Sequence, residues 1–160
     1  MDDPLQILNA SQTILLVDWK GTVVPRTLLE AGFKVYGSSP AGYTRAALMA
    51  DLKNAPPDDA AAIFAPEQDD ESGYLVFHRL PGPPANVDIV HVYRPTAELP
   101  GIIEAQAVKL KANAVWLQPP ITANDEARRL AADHGLKFVE GVDMVETIRH
   151  HDVRRQARTV

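Results

Sequence analysis

Thr13 to Tyr36 reads TILLVDWKGTVVPRTLLEAGFKVY, and its three parts follow one another without slack. Thr13–Val17 is a short apolar run, partly β-branched, of the kind a strand buried on both faces requires. Asp18 to Thr22 (DWKGT) interrupts it. Val23 to Ala31 then predicts a helix. Pro25 sits in its first turn, where a missing N–H costs little, and Val24, Leu28 and Leu29 share a face. Gly32 supplies the stop. Phe33–Tyr36 (FKVY) is a second strand, ended by Gly37, Ser38, Ser39 and Pro40. Strand, helix, strand at this spacing is a βαβ unit, whose crossover is right-handed almost without exception.

Working outward, Tyr43 to Asn54 carries Ala47, Leu48 and Leu52 at helical spacing and is predicted as a helix. Ala60–Ala65 and Tyr74–Leu80 predict the two strands of a β-hairpin around the polar turn Pro66–Gly73 (PEQDDESG). Pro81–Pro84 is a stiff connector. The rhythm then resumes. Val87–Tyr93 is a strand. Ala97–Ala112 is a helix with Thr96 as its cap and Pro100 in its first turn. Ala114–Gln118 is a strand, Asn124–His134 a helix closed by Gly135, Leu136–Val139 a strand, and Asp143 to about Arg155 a last helix. Such alternation argues for a three-layer α/β domain built on a parallel sheet, plus an inserted hairpin, with strand order 3-2-1-4-5. Residues 1–160 are read as one domain. Residues 1–12 form an N-terminal extension, 60–80 the hairpin insertion and 150–160 a basic tail.

Composition narrows the function classes. The chain has 160 residues, 46% hydrophobic and 23% charged, an ordinary globular balance. Its net charge of −5 argues against bulk nucleic-acid binding, which needs a basic face. Absence of cysteine excludes disulfides, thiolate metal sites and cysteine nucleophiles. Met1–Gln12 lacks the basic start and apolar run of a signal peptide. The run Ile14–Val17 is far short of the ~20 residues a membrane helix needs. A cytoplasmic protein without membrane or nucleic-acid partners is therefore expected.

In sheets of this kind ligands bind beyond the carboxyl ends of the strands, near the switch in strand order. That rule selects five segments: Asp18–Thr22, Gly37–Pro40, Tyr93–Thr96, Gln118–Thr122 and Glu140–Val142. Lys20, Arg26 and Arg94 can neutralise phosphates. Helix starts after Thr22 and Thr96 offer free N–H groups. Ser38 and Ser39 can bond a ribose or its phosphate, and Pro95, Pro119 and Pro120 make rigid walls. With no nucleophile–base pair and no metal cluster, the rim reads as a site that holds a ligand rather than one that converts it.

These segments carry a family resemblance. Asp88-Ile89-Val90, Arg94-Pro95 and Trp116-Leu117-Gln118, in VDIVHVYRP and AVWLQ, resemble the small stand-alone CoA-binding proteins, whose Rossmann-like domain is similar to the CoA-binding half of the succinyl-CoA synthetase α subunit. The resemblance implies a Rossmann-like fold and a pocket for CoA or an acyl-CoA. Carried onto this sequence, the cofactor-binding residues are Asp18, Trp19, Lys20, Gly21, Thr22 and Arg26 on and after the first loop. Ser38, Ser39 and Pro40 follow on the second, then Tyr93, Arg94 and Pro95, then Gln118 and Pro119. Adenosine would lie near Ser38–Pro40 and the pantetheine arm past Tyr93–Pro95 and Gln118-Pro119. The chain departs from the family at the first loop, where G-x-S-x-x-P is usual and Asp18-Trp19-Lys20-Gly21 stands, and at the extra hairpin. No catalytic residue is carried over.

Other readings stay open beside this one. Trp19 either plugs the pocket mouth or stacks on adenine. Asp18 either faces a phosphate with Lys20 or caps the next helix. Arg94 either meets a phosphate or pairs with Glu98. NAD ranks below CoA, because G-x-G-x-x-G and the acidic residue ending the second strand are both missing. His91, mid-strand, is read as core or pocket wall. Adjacent His150 and His151 would point about 100° apart on a helix and make a poor chelate, and no metal site is expected. The run Glu67–Glu71 reads as a solvated hairpin tip. Its charge opposes that of the Arg149–Arg158 tail, which makes head-to-tail self-association an option. The alternative function is a degenerate Rossmann scaffold serving as a protein-interaction or regulatory module without cofactor.

Overall fold

The computed structural model describes residues 2–52 and 58–155. Its centre is the βαβ unit. β1 (Thr13–Val17) lies between two parallel neighbours, β2 (Lys34–Ser39) and β6 (Ile89–Val92). Ile14 and Leu16 face one layer and Leu15 and Val17 the other, so all four side chains are buried. That is why the run carries no polar residue. α2 (Val23–Glu30) follows the first loop, and Gly32 at φ 93° turns the chain back into β2. The start of β1 is pinned by Asp88, whose Oδ2 accepts from the backbone N–H groups of Gln12 and Thr13 at 2.8 and 3.0 Å.

Residues 42–49 are a strand, not the predicted helix. The chain leaves β2 at Pro40-Ala41, passes Gly42 at φ 120°, and returns antiparallel as β3 (Gly42–Met49). Ala47 and Leu48 have helical spacing, but the same stretch also fits alternation. Ala46 and Leu48 pack on one side of the sheet and Tyr43 on the other. The tight turn and the waiting edge of β2 decide between the two patterns. The end of the predicted helix, at Lys53 and Asn54, lies outside the described residues.

The hairpin forms where expected, as β4 (Ala60–Phe64) and β5 (Tyr74–Arg79), and β5 pairs antiparallel with β3. On the other side β7 (Ala114–Leu117) and β8 (Lys137–Val139) continue the parallel sheet. The eight strands run in the order β4-β5-β3-β2-β1-β6-β7-β8. The expected order 3-2-1-4-5 holds around β1, with the difference that the third strand is antiparallel and joins the hairpin to the sheet. The sheet is thus parallel from β2 to β8 and antiparallel beyond β2.

Helices cover both faces. α1 (Pro4–Asn9), in the segment read as an extension, packs with α2 and α5 (Met144–His150) against Ile14, Leu16 and Trp116. Asp3 caps α1 by accepting from Leu5 N at 3.0 Å. On the opposite face lie α3 and α4 (Asp125–Asp133). α3 is one segment wound three ways: a 3-10 turn at Thr96–Glu98, an α-turn at Leu99–Ile102 and π-helix at Ile103–Val108. It stops earlier than the predicted Ala112. No helix among the described residues is long and apolar enough to cross a membrane. Of the basic tail, residues 156–160 lie outside the described residues.

Candidate functional site

The carboxyl ends of β1, β2, β6 and β7 meet at one rim, and two neighbouring hollows open there. The larger, about 450 Å³, is lined by Trp19 and Lys20 of the first loop, Tyr93 after β6, Gln118 and Pro119 after β7, and His91 of β6. The smaller, about 180 Å³, is lined by Asp18, Ser38, Ser39, Pro40, Arg94 and Glu98. Ten of the fourteen residues singled out in the sequence thus line one hollow or the other. Consecutive residues part at the boundary, Asp18 from Trp19 and Tyr93 from Arg94.

The first loop is held by its own chemistry. Asp18 has φ 60°, a left-handed conformation that aspartate tolerates better than most residues. Its N–H donates to the Ser38 carbonyl at 3.2 Å. Its Oδ1 accepts from Trp19 N at 2.9 Å and its Oδ2 from Arg94 Nη1 at 3.0 Å. Asp18 therefore does not cap α2, whose N-cap Thr22 makes no side-chain cap bond. Gly21, at φ 65°, has open space where a Cβ would stand. Thr96, expected as a cap, instead donates to the Thr122 carbonyl at 2.7 Å, and Pro95 takes the N-cap position of α3.

Trp19 stacks on Phe77 of β5 with ring centroids 5.1 Å apart and planes 16° from parallel. Its ring edge lies against Gly37. The indole so placed forms one wall of the larger hollow and leaves it open.

Arg94 is already paired. Besides Asp18 it donates to Glu98, Nη2 to Oε2 at 2.7 Å and Nε to Oε1 at 3.2 Å. Both carboxylates hold the guanidinium charge more firmly, Glu98 the more strongly. Ser38 is engaged as well: its Oγ accepts from Gln106 Nε2 at 3.3 Å, and Gln106 Oε1 accepts from Tyr43 Oη at 2.7 Å. Ser39 Oγ accepts from Ala41 N at 3.2 Å, a turn bond. Arg26 points elsewhere. It is 3% exposed, donates from Nη1 to the Gly73 carbonyl at 2.8 Å and pairs with Glu71 at 3.2 Å. It ties α2 to the hairpin turn, so Glu71 is not a solvated tip residue.

The floor of the larger hollow holds a relay of hydrogen bonds. His91 Nε2 lies 3.0 Å from Gln118 Oε1, and Gln118 Nε2 donates to Asp143 Oδ2 at 3.0 Å. Asp143 Oδ1 accepts from Glu146 N at 3.1 Å and so caps α5. Burial pushes the His91 pKa down to about 4, against the bond to Gln118 and the nearby Asp143 charge. The ring is neutral at pH 7. The hollow also takes in Val145, Glu146 and Arg149, which sequence reading placed outside the site. Their signal was there: Asp143, Glu146 and Arg149 recur every three residues, directly after the fifth rim segment. Pro119-Pro120, at the mouth, is a cis peptide.

Fold and rim together define a Rossmann-like protein with an open cleft at the carboxyl ends of its central strands. The chain belongs to the CoA binding domain family, whose profile matches residues 17–147. Membership supports a small-molecule ligand and CoA binding in general. No curated protein matches the sequence. Among solved structures, the chain is similar to a Thermus thermophilus protein (21% identity, TM-score 0.58, 92% of this chain and 98% of that one). It is also similar to Prb, the PH1109 protein redesigned for binding (18%, TM-score 0.64, 99% and 98%). A hypothetical protein from Pyrococcus horikoshii is a third (21%, TM-score 0.60, 92% and 89%). At these identities the likeness shows the fold alone.

Proposed function

We propose that the protein binds CoA or an acyl-CoA at this rim and holds it without converting it. The observation that carries the reading is the larger hollow, where Trp19, Lys20, Tyr93, Gln118 and Pro119 from three separate loops meet around about 450 Å³. That is within the range of small-molecule sites. Its residues suit an anionic ligand: an aromatic wall, a polar floor, and two cations, Lys20 and Arg149, for phosphates. The narrower hollow, at about 180 Å³, lies against Ser38, Ser39 and Pro40, where the adenosine end is expected. The pantetheine arm then runs past Tyr93 and Gln118-Pro119 in the larger hollow. The rim carries no nucleophile beside a base, and His91, its histidine, is too weakly basic to serve as one near pH 7.

A second reading rests on Arg94. Its double pairing leaves no free positive charge in the smaller hollow for a phosphate, as in a scaffold that has given up its cofactor for a protein partner. Titration calorimetry with CoA, acetyl-CoA, NAD and ADP separates the two. Micromolar binding of CoA species, weakened at least tenfold in Lys20→Ala and Arg149→Ala, supports the cofactor reading. No heat with any of them, from folded protein, overturns it in favour of the scaffold.

A further inference from the structure

We propose that the smaller hollow rejects a phosphate on the ribose of the bound nucleotide, so that the chain takes 3′-dephospho-CoA, or an acyl thioester of it, in preference to CoA. This rests on the proposed rim site, with the adenosine end of the ligand at Ser38–Pro40, and specifies the ligand of that same site.

The two ligands differ by one group. CoA carries a phosphate monoester on its ribose 3′-oxygen, with a charge of about −1.5 to −2 at pH 7 and strong acceptor oxygens. Dephospho-CoA has a free 3′-hydroxyl there, which donates as well as accepts. At rims of this kind a carboxylate takes a free ribose hydroxyl, and an arginine accommodates a ribose phosphate. The choice therefore turns on which of the two the hollow leaves available.

The charged lining beside Ser38–Pro40 is Arg94 against two carboxylates, Asp18 and Glu98. The hollow is thus negative before any ligand enters. Arg94 already donates to both carboxylates, at 3.0 Å to Asp18 and at 2.7 and 3.2 Å to Glu98. Among the described residues no other cation lines this hollow. Lys20 lines the larger one, and Arg26 is held by Gly73 and Glu71. The carboxylates themselves stay within reach of a ligand, with side chains 46% exposed at Asp18 and 44% at Glu98. Each also keeps lone pairs beyond the bonds it makes. Asp18 cannot swing aside without cost, because its Oδ1 accepts from Trp19 N at 2.9 Å and its N–H donates to the Ser38 carbonyl at 3.2 Å. The serines do not decide the matter. Ser38 Oγ accepts from Gln106 and Ser39 Oγ from Ala41 N, which leaves each an O–H that suits a hydroxyl and a phosphate alike. The fixed carboxylates therefore offer acceptors to a ribose hydroxyl and repulsion to a ribose phosphate.

Calorimetry with CoA and 3′-dephospho-CoA tests the inference. Wild-type protein is expected to bind dephospho-CoA roughly tenfold more tightly at low salt. The preference is expected to shrink as salt is raised to about 0.5 M, because exposed charges are then screened within a few ångströms. A preference that ignores salt would come from shape, and it overturns the charge argument. Equal affinity, or tighter binding of CoA, overturns the inference and leaves the CoA site standing. The double variant Asp18→Asn, Glu98→Gln leaves Arg94 unopposed, and its preference is expected to pass to CoA. Asparagine tolerates the left-handed backbone at position 18 and can still accept from Trp19 N. A folded double variant that keeps the wild-type preference overturns the inference. Glu98→Gln alone, at an exposed side chain, must narrow the preference, so the test stands even if the double variant does not fold. Binding of neither ligand by folded wild-type protein overturns the CoA reading of the rim itself, which is a distinct result.

Discussion

Arg94 and Asp18, 76 positions apart, form an ion pair of 3.0 Å that closes the carboxyl end of β6 onto the loop after β1. Both residues line the smaller hollow of the rim. With Glu98 on its other side, Arg94 is balanced by two carboxylates before any ligand arrives. Glu98→Gln leaves Arg94 with one carboxylate and frees part of its charge for a phosphate. Affinity for CoA is expected to rise roughly threefold to tenfold, read by calorimetry. Arg94→Ala is expected to lower it, and unchanged affinity in both variants would remove Arg94 from the site.

Gly37 lies under the indole. A Cβ there would come within 2.8 Å of Trp19 Cη2 and 2.7 Å of Thr44 Oγ1. Gly37→Ala is therefore expected to push the ring off Phe77 and to destabilise the fold by about 1–3 kcal/mol. Denaturant titration checks the stability, and loss of nucleotide binding checks the displacement of the wall.

Asp88 joins two strand starts through one carboxylate oxygen. Asp88→Ala leaves two part-buried backbone N–H groups, those of Gln12 and Thr13, without their acceptor. The expected loss is about 2 kcal/mol, seen as a lower urea midpoint with an unchanged slope.

His91 makes stability depend on pH. Its folded pKa is lowered from 6.5 to about 4, so between those values the unfolded chain binds the proton and the folded chain does not. The contribution is fully present above pH 6.5 and is lost as pH falls toward 4, about 3 kcal/mol in all. Urea unfolding of wild type and His91→Phe, at pH 7 and at pH 4.5, isolates it. The stability difference between the two proteins should shift toward the variant at the lower pH, and a constant difference would contradict the assignment.

Much of this was legible in the chain. The βαβ unit was readable because β1 is apolar at every position from Ile14 to Val17, which only a strand covered on both faces needs. The rim followed from it, since the carboxyl ends of such strands lie on one side. What failed did so through contacts distant in sequence. Ala47 and Leu48 fit a helix until β5 is seen to wait for β3. Arg26 resembles a phosphate ligand until the carbonyl of Gly73 is found against it. Trp19 could not be placed without Phe77, a residue of the hairpin. His91 in its apolar strand gave no hint that Gln118 and Asp143 would line up beside it.

Phe77 belongs to β5, a strand that the parallel half of the sheet does not require. The surface against which Trp19 rests is therefore borrowed from the antiparallel half, and Arg26 clamps that half to the helix that follows the Trp19 loop. The position of the Trp19 wall is in this way coupled to the packing of an edge outside the cleft. Anything that engages the outer strand and levers β5 away would act on the cleft from behind.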